Sequence, residues 1–283
     1  MGSEKYEYKL LDSGDLKKLE QFGPYTLIRP ASQAIWSPKH PQLWKKADAE
    51  FYRDKEGGGQ WKTYRKNLPQ QWTICLKEQK TIIKLRDLGH VGIFPEHHRN
   101  QEEIVKILER SSLKRKPRIL NLFAYTGYLS IMLAKQGCEV VHLDASKSSV
   151  DWAKANFDLS CVANKHEIRW IVDDVRKFIL REHRRKSFYD GIILDPPSFG
   201  RGPKGELWKI EKHLQILLKD LQKILKEEYL FFILSSHSQG HTPIALKNIA
   251  EPLGLKQSKC FEMTIAETKS NRLLPCGSCF FAY

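Results

Sequence analysis

The sequence predicts an α/β protein: a mostly parallel sheet with helices on both faces, preceded by a small β-rich domain. Three features carry that expectation. From residue 118 onward, short apolar runs alternate five times with stretches of helical period, the pattern of parallel strands joined by crossover helices. Two more strand candidates end the chain with no helix between them, which predicts an antiparallel hairpin at one edge. Residues 1 to about 90 differ in texture, with short β-like runs between proline- and glycine-rich connections. The expected domains are therefore 1–90 and 91–283.

In the first of these, Tyr25–Arg29, Trp72–Lys77 and Thr81–Leu85 read as strands, separated by R-P-A-S-Q, W-S-P-K-H-P and K-E-G-G-G-Q. Trp36, Trp44, Trp61 and Trp72, with Tyr25 and Tyr64, are interleaved with basic residues. That interleaving suits either a base-stacking surface or the aromatic core of a small sheet, and the core is the expectation. A helical pattern starts at His98 and runs through Ile104, Val105, Ile107 and Leu108. Strand Arg118–Leu122 leads to helix Thr126–Gln136, closed by Gly137. Strand Glu139–Leu143 leads to helix Ser148–Leu159, with Ser146 or Ser148 as its cap. Strand Ile168–Val172 precedes a helix over 175–183. Strand Gly191–Leu194 precedes a long helix, Glu206–Leu225, with apolar residues at helical spacing from 207. Strand Tyr229–Leu234, a helix over 243–253, and strands Cys260–Ile265 and Ser278–Tyr283 complete the chain.

Composition narrows the function classes. Apolar residues make up 41% and charged residues 28%, so a folded core is expected rather than global disorder. The longest apolar run, Tyr229–Leu234, is too short to span a bilayer, and the charged N-terminus lacks the apolar core of a signal peptide. A cytosolic protein without membrane contact is expected. A formal net charge of +14 favours a polyanionic partner, with nucleic acid the commonest. The clusters Lys114-Arg115-Lys116 with Arg118, and Arg181–Lys186, fall at the amino ends of strands and read as solvated groups away from the site. Cysteines stand at 75, 138, 161, 260, 276 and 279. Only Cys276-Gly-Ser-Cys279 has metal or redox spacing, and it runs into an apolar strand with no second pair at finger spacing. Free thiols and no metal are expected.

The chemistry gathers at the carboxyl ends of the strands, the edge where open α/β sheets bind ligands. The first strand brings Asn121 and the turn Phe123-Ala124-Tyr125-Thr126-Gly127. The second brings Asp144, the third Asp173-Asp174, the fourth Asp195 and the fifth Ser235-Ser236-His237. A lone aspartate there is usually a cap or turn residue; three strands in succession ending so point to a ligand. Asp144 stands about twenty residues past the first turn, where an acidic side chain reaches ribose hydroxyls. That turn has only Gly127 instead of G-x-G-x-x-G, and Tyr125 and Thr126 obstruct a pyrophosphate. An adenosine without phosphates fits, and S-adenosylmethionine has one: its ribose for Asp144, its adenine for Asp174, its amino-acid tail for the first turn. NAD is a poor second choice. In D-P-P-S-F (195–199), Pro196 and Pro197 stop the strand and stiffen the loop. Asp195 and the Pro196 carbonyl can accept amine N–H bonds, and Phe199 can stack on an acceptor ring.

The segments I-L-N-L-F-A-Y-T-G (119–127), V-V-H-L-D-A-S-K (140–147), W-I-V-D-D-V-R-K-F (170–178) and I-I-L-D-P-P-S-F-G-R-G (192–202) resemble class I S-adenosylmethionine-dependent methyltransferases, in the branch of the large-subunit ribosomal RNA enzymes. The resemblance covers about residues 90–283. It implies a Rossmann-like seven-stranded methyltransferase sheet and the methyl donor as cofactor. It assigns Asp144 to the ribose, Asp174 to the adenine and Asp195 to the acceptor side, with Ala145, Ser146 and Val175 also cofactor-binding. G-H-V-G-I-F-P-E (89–96) matches a family stretch near the cofactor, which adds Phe94 and Pro95. The PUA RNA-binding domain of better-known relatives is not recognisable in residues 1–90. Cytosine-C5 members carry a cysteine after the fifth strand, whereas this chain reads L-S-S-H-S (234–238), and serine is far the weaker nucleophile. The implied function is methylation of a nitrogen on an RNA base, ribosomal RNA favoured, with a role in rRNA processing. Ser236, His237 and Arg272, in S-N-R-L-L-P-C-G (270–277), are candidates for the substrate, Arg272 to hold a phosphate or carboxylate or else to face solvent. A methyltransferase for a small molecule or protein, or a non-catalytic module of the same fold, are the alternatives.

Overall fold

A computed structural model describes residues 7–54, 58–160 and 168–283. Residues 1–6, positions 55–57 of the glycine-rich connection, and Cys161 lie outside them. The chain forms two compact units: Met1–Glu96 with Thr264–Cys276, and His97–Met263 with Gly277–Tyr283. The expected cut at residue 90 thus falls at Glu96, and the first unit also claims a segment near the C-terminus. The reason is local: Leu10 bridges Glu267, the Ser13 hydroxyl donates to Glu267 at 2.5 Å, and the Thr268 N–H donates to the Leu10 carbonyl at 2.8 Å.

In the first unit, β1 (Tyr8–Gly14), β2 (Lys17–Phe22), β3 (Tyr25–Pro30), β4 (Ala49–Arg53) and β5 (Gly59–Thr63) make a five-stranded sheet in chain order. A short helix, α1 (Pro41–Trp44), lies between β3 and β4, and β6 (Gln71–Leu76) pairs with β7 (Gln79–Lys84). β1, β2, β4 and β5 are strands that the apolar pattern did not predict. In β2 the concealment is electrostatic: Glu20 is buried because Arg29 of β3 grips it through Nε and Nη2 at 2.7 and 2.8 Å. The tryptophans serve structure, as expected. Their indole N–H groups donate to Ser13 O (Trp36), Asp12 Oδ2 (Trp44), Arg86 O (Trp61) and Phe22 O (Trp72).

The second unit opens with α2 (His98–Arg110) and then alternates as expected: β8 (Arg118–Leu122), α3 (Tyr128–Lys135), β9 (Glu139–Asp144), α4 (Lys147–Leu159), β10 (Ile168–Val172), α5 (Val175–Arg184) and β11 (Gly191–Leu194). Here the long helix expected from 206 is corrected. Leu207–Lys209 is a strand, β13, paired antiparallel with β12 (Phe199–Arg201), and α6 occupies only Ile210–Gln222. The apolar residue at 207 happens to share the helical period. β14 (Phe231–Ser236), α7 (Pro243–Ala250), β15 (Ser258–Ala266) and β16 (Leu273–Ala282) follow.

The seven strands lie in the order β10-β9-β8-β11-β14-β16-β15; β10 through β14 are parallel, and β16 runs antiparallel to β14. Helices α5, α6 and α7 bury Phe178, Leu214, Leu217, Leu221 and Leu246 against Leu120, Leu122, Val141, Ile192, Leu194 and Phe232. Gly191 opens β11 because a Cβ there would stand 2.7 Å from Phe231 and 2.8 Å from Ile119. Among the described residues, no helix is long and apolar enough to cross a membrane.

Candidate active site

Winding outward from β8 in both directions makes the gap between β8 and β11 the switch point of the sheet, where ligands of such folds bind. The first turn occupies it. Phe123 and Tyr125 take positive φ of 55° and 50°, and Gly127 takes 81° as it caps α3. Left-handed conformations cost a non-glycine residue about 1 kcal/mol or more, so other contacts must hold this turn. Asp144, at the end of neighbouring β9, supplies one. Its Oδ2 accepts the Tyr125 N–H at 2.9 Å, and its Oδ1 accepts the Ser146 N–H at 2.8 Å. Burial raises the Asp144 pKa, and these two N–H bonds oppose the rise. Ser146 is the cap of α4, its hydroxyl accepting the Ser149 N–H at 3.2 Å.

Asp174 caps α5 through Oδ1, which accepts the Lys177 N–H at 2.9 Å, while Asp173 pairs with Arg181. Val175 points into the core beneath, so its side chain is structural. Asn121 is buried, its amide donating to Ser130 Oγ at 2.9 Å, and Ser130 Oγ lies 3.0 Å from His142 Nδ1. Ala124 donates to Leu143 O at 3.1 Å, and the Thr126 carbonyl accepts Asn156 Nδ2 at 2.9 Å. Asn121 thus ties β8 to α3, and the Thr126 carbonyl ties the turn to α4.

Asp195 ends β11, two strands from Asp144, or about 10 Å at the usual strand spacing. Its carboxylate is heavily engaged. Oδ1 accepts the Ser235 hydroxyl at 2.7 Å; Oδ2 lies 3.2 Å from His97 Nε2 and 3.4 Å from His237 Nε2. Burial works to raise the pKa of this group, but the imidazoles of His237 and His97 outweigh it and hold Asp195 well below the usual carboxylate range. His97 is itself oriented. Asn100 receives the Cys279 thiol on Oδ1 at 3.4 Å and donates from Nδ2 to His97 Nδ1 at 3.2 Å, which leaves the ring proton on Nε2, facing Asp195. The three side chains bring ligating atoms within 4.8 Å, a spacing a metal ion can use. With its proton on Nε2, however, His97 is arranged as a donor rather than as a ligand.

The rest of the D-P-P-S-F motif is pinned by β12 and β13. The Pro197 carbonyl accepts the Trp208 indole N–H at 2.6 Å, the Ser198 carbonyl accepts the Ile210 N–H at 3.0 Å, and Trp208 packs 5.1 Å from Phe123. Pro196 is buried, and Phe199 is 54% exposed. The substrate candidates fare differently. His237 joins Asp195, whereas Ser236 is buried with its hydroxyl 2.9 Å from His241 Nδ1. Arg272 belongs to the first unit, donating to Ser13 O at 2.9 Å and Ser37 O at 3.2 Å and lying over Trp36. It is a brace within that unit. Phe94 and Pro95 also belong there.

No family model matches the chain. The crystal structure of an S-adenosylmethionine-dependent methyltransferase from Agrobacterium tumefaciens is 34% identical, with a TM-score of 0.91, covering 99% of this chain and 91% of that one. The ribosomal RNA large subunit methyltransferase K/L of Alteromonas mediterranea is 33% identical over 149 residues, 52% of this chain but only 20% of that protein. The ribosomal RNA large subunit methyltransferase K of Neisseria meningitidis serogroup B is 24% identical over 236 residues, covering 77% of this chain and 62% of that protein.

Proposed function

The chain belongs to the S-adenosylmethionine-dependent methyltransferases; from that premise we propose that its acceptor is ribosomal RNA, methylated on a base nitrogen. The observation that carries this reading is the Asp195 carboxylate, anionic at the end of β11 with three of its roughly four lone-pair directions occupied. One remains for an N–H of the acceptor.

The residues present suit the cofactor. Each Asp144 oxygen already accepts one backbone N–H and keeps a direction for a ribose hydroxyl, and Asp174 keeps Oδ2 for the adenine. Phe94 and Pro95 are assigned there by family resemblance. When bound, the cofactor supplies an activated methyl group on a sulfonium. The protein's task is then alignment, which can contribute about 7–11 kcal/mol. Asp195 and the Pro196 carbonyl orient the amine so that its lone pair faces the methyl carbon, and the exposed Phe199 ring stacks on the base. Nitrogen is favoured over carbon 5 because that chemistry needs a thiolate. Burial pushes the Cys276 and Cys279 thiols up, and the hydroxyls of Ser235 and Ser236 are engaged. A cytoplasmic location accompanies such an acceptor.

Tritiated methyl donor, the protein and rRNA from cells lacking the gene test this. Label is expected in the RNA, and nucleoside mass spectrometry is expected to show an N-methylated base. Label confined to protein or small molecules overturns the RNA acceptor; a C-methylated base overturns the nitrogen.

A further inference from the structure

The outer face of β4 and β5, in the first unit, has a construction that the methyl-transfer chemistry does not use. In the antiparallel register Glu50 faces Lys62 and Tyr52 faces Gln60, so these four side chains emerge on one side. Phe51 and Trp61 turn to the other, where their rings meet at 5.3 Å. β5 is the edge of the five-stranded sheet. On this face Tyr52 and Tyr64 are 46% and 47% exposed, yet both are fixed. Each hydroxyl donates to Glu50 Oε2 at 2.7 Å, and the two oxygens are 3.1 Å apart. Lys17 donates to Glu50 Oε1 at 2.6 Å and stands 5.7 Å from the Tyr52 ring centre, and Lys62 stands 5.4 Å from that of Tyr64.

A lysine on an edge strand is ordinary protection against strand pairing. Two exposed aromatic rings do the reverse, because they add sticky area to that edge, and solvent-facing hydroxyls need no carboxylate to satisfy them. What the Glu50 knot does is hold two half-exposed rings in place, each with an ammonium group over it. Rings that are already ordered lose less freedom when a partner stacks on them. Stacking planes next to cations match the alternation of bases and phosphates along a flexible strand.

We propose that Tyr52 and Tyr64, braced by Glu50 and flanked by Lys17 and Lys62, form a platform for single-stranded RNA. The platform rests on the reading that the acceptor is RNA and extends it: bases stack on the two rings while the lysines meet the phosphates. Because every base has a stacking face, it is tolerant of sequence, and it serves to hold the strand rather than to choose the methylated base.

The test uses the full-length protein and a fluorescein-labelled twelve-nucleotide oligoadenylate, followed by anisotropy in 50 mM KCl. Cofactor affinity, measured by calorimetry, confirms that each variant is folded. Tyr52→Ala with Tyr64→Ala is expected to weaken oligonucleotide binding about fivefold or more per ring. Tyr52→Phe with Tyr64→Phe keeps both rings, gives up the bonds to Glu50, and is expected to lose part of the affinity, clearly less than the alanine variant. If the alanine variant binds like wild type, or the phenylalanine variant falls as far as the alanine one, the platform is overturned. Wild type that methylates rRNA yet ignores the oligonucleotide overturns the platform alone. Wild type that methylates no RNA overturns the proposed acceptor, and the platform with it.

Discussion

Asp195 meets its surroundings through two imidazoles and a hydroxyl, and the imidazole of His97 is the better buried of the two. Replacing His97 by alanine removes one donor from the carboxylate and one acceptor from the Asn100 amide. His97 acts through Asp195, so it is a positioning residue. His97→Ala is expected to lower kcat about 10- to 100-fold while leaving KM for the methyl donor within about twofold, and His97→Gln, which retains an N–H, is expected to recover part of the loss. The pH profile separates this from a packing defect. A carboxylate whose folded pKa is depressed gains its stabilisation above the ordinary value near 3.8 and loses it as pH falls through the lowered one. Removing an imidazole raises that pKa, so the acid limb of kcat in His97→Ala is expected to move to higher pH; an unmoved limb would leave His97 with packing alone. Asp195 was legible because two prolines follow it. His97 was not, since it is one of two adjacent histidines at the head of a helix, and the other, His98, is 52% exposed along its side chain. A signal was present nevertheless. His97, Asn100, Gln101 and Ile104 share helical spacing and are all buried, so the inner face of α2 begins in polar residues, where periodicity counts only apolar ones.

At the scale of elements, the strands that could be read were those whose burial is apolar. Arg118–Leu122 and Ile168–Val172 have the bounds that their sequence pattern suggests. β2 was hidden by Glu20 paired with Arg29, and β5 by its exposed edge position, while β13 borrowed the period of the helix that follows it. The first turn was recognised from its motif, but its strain and the backbone bonds from Asp144 emerge only in three dimensions. β9 also carries a titratable group where none is expected. His142 is fully buried, 4.8 Å from the Trp170 ring, and burial pushes its pKa down to about 3. In the unfolded chain it titrates near 6.5. Between those values the unfolded state binds the extra proton, so stability is intact above about pH 6.5 and falls as the pH drops toward 3, by about 1.4 kcal/mol per pH unit at most. Urea unfolding at pH 7 and pH 5 is expected to show this loss in wild type and a smaller one in His142→Gln. Equal losses would mean that the imidazole is protonated without cost where it lies.

For the whole molecule, the 47 lysines and arginines overstate the positive surface available to a polyanion, because some of them are engaged by internal carboxylates. Arg115 makes a two-pronged bond to buried Asp190 at 2.6 Å on each side, with Lys226 and the Arg118 N–H on the same carboxylate at 2.8 Å. Burial works to raise the Asp190 pKa, but the Arg115 bond and its neighbours bring it down to about 2. Arg118, Arg169 and Arg185 surround Glu182 in the same manner. The basic cluster at 114–118 thus anchors the fold through Arg115, and is not merely solvated as its sequence suggested. The two roles of positive charge can therefore be separated by mutation. Arg115→Ala is expected to cost about 1–2 kcal/mol in urea unfolding, discounted because half of that side chain faces water, and to leave the salt dependence of RNA binding unchanged. Lys62→Ala is expected to do the opposite, whereas Lys17 also binds Glu50 within the fold and is left in place. The slope of log affinity against log salt from 50 to 200 mM KCl should flatten by about 0.7 for each phosphate of a single strand that a lysine no longer neutralises, with a change in unfolding free energy below about 1 kcal/mol. A flattened slope in Arg115→Ala would show that the charge holding Asp190 also reaches the RNA, and the separation of fold-holding from strand-holding positives would fail.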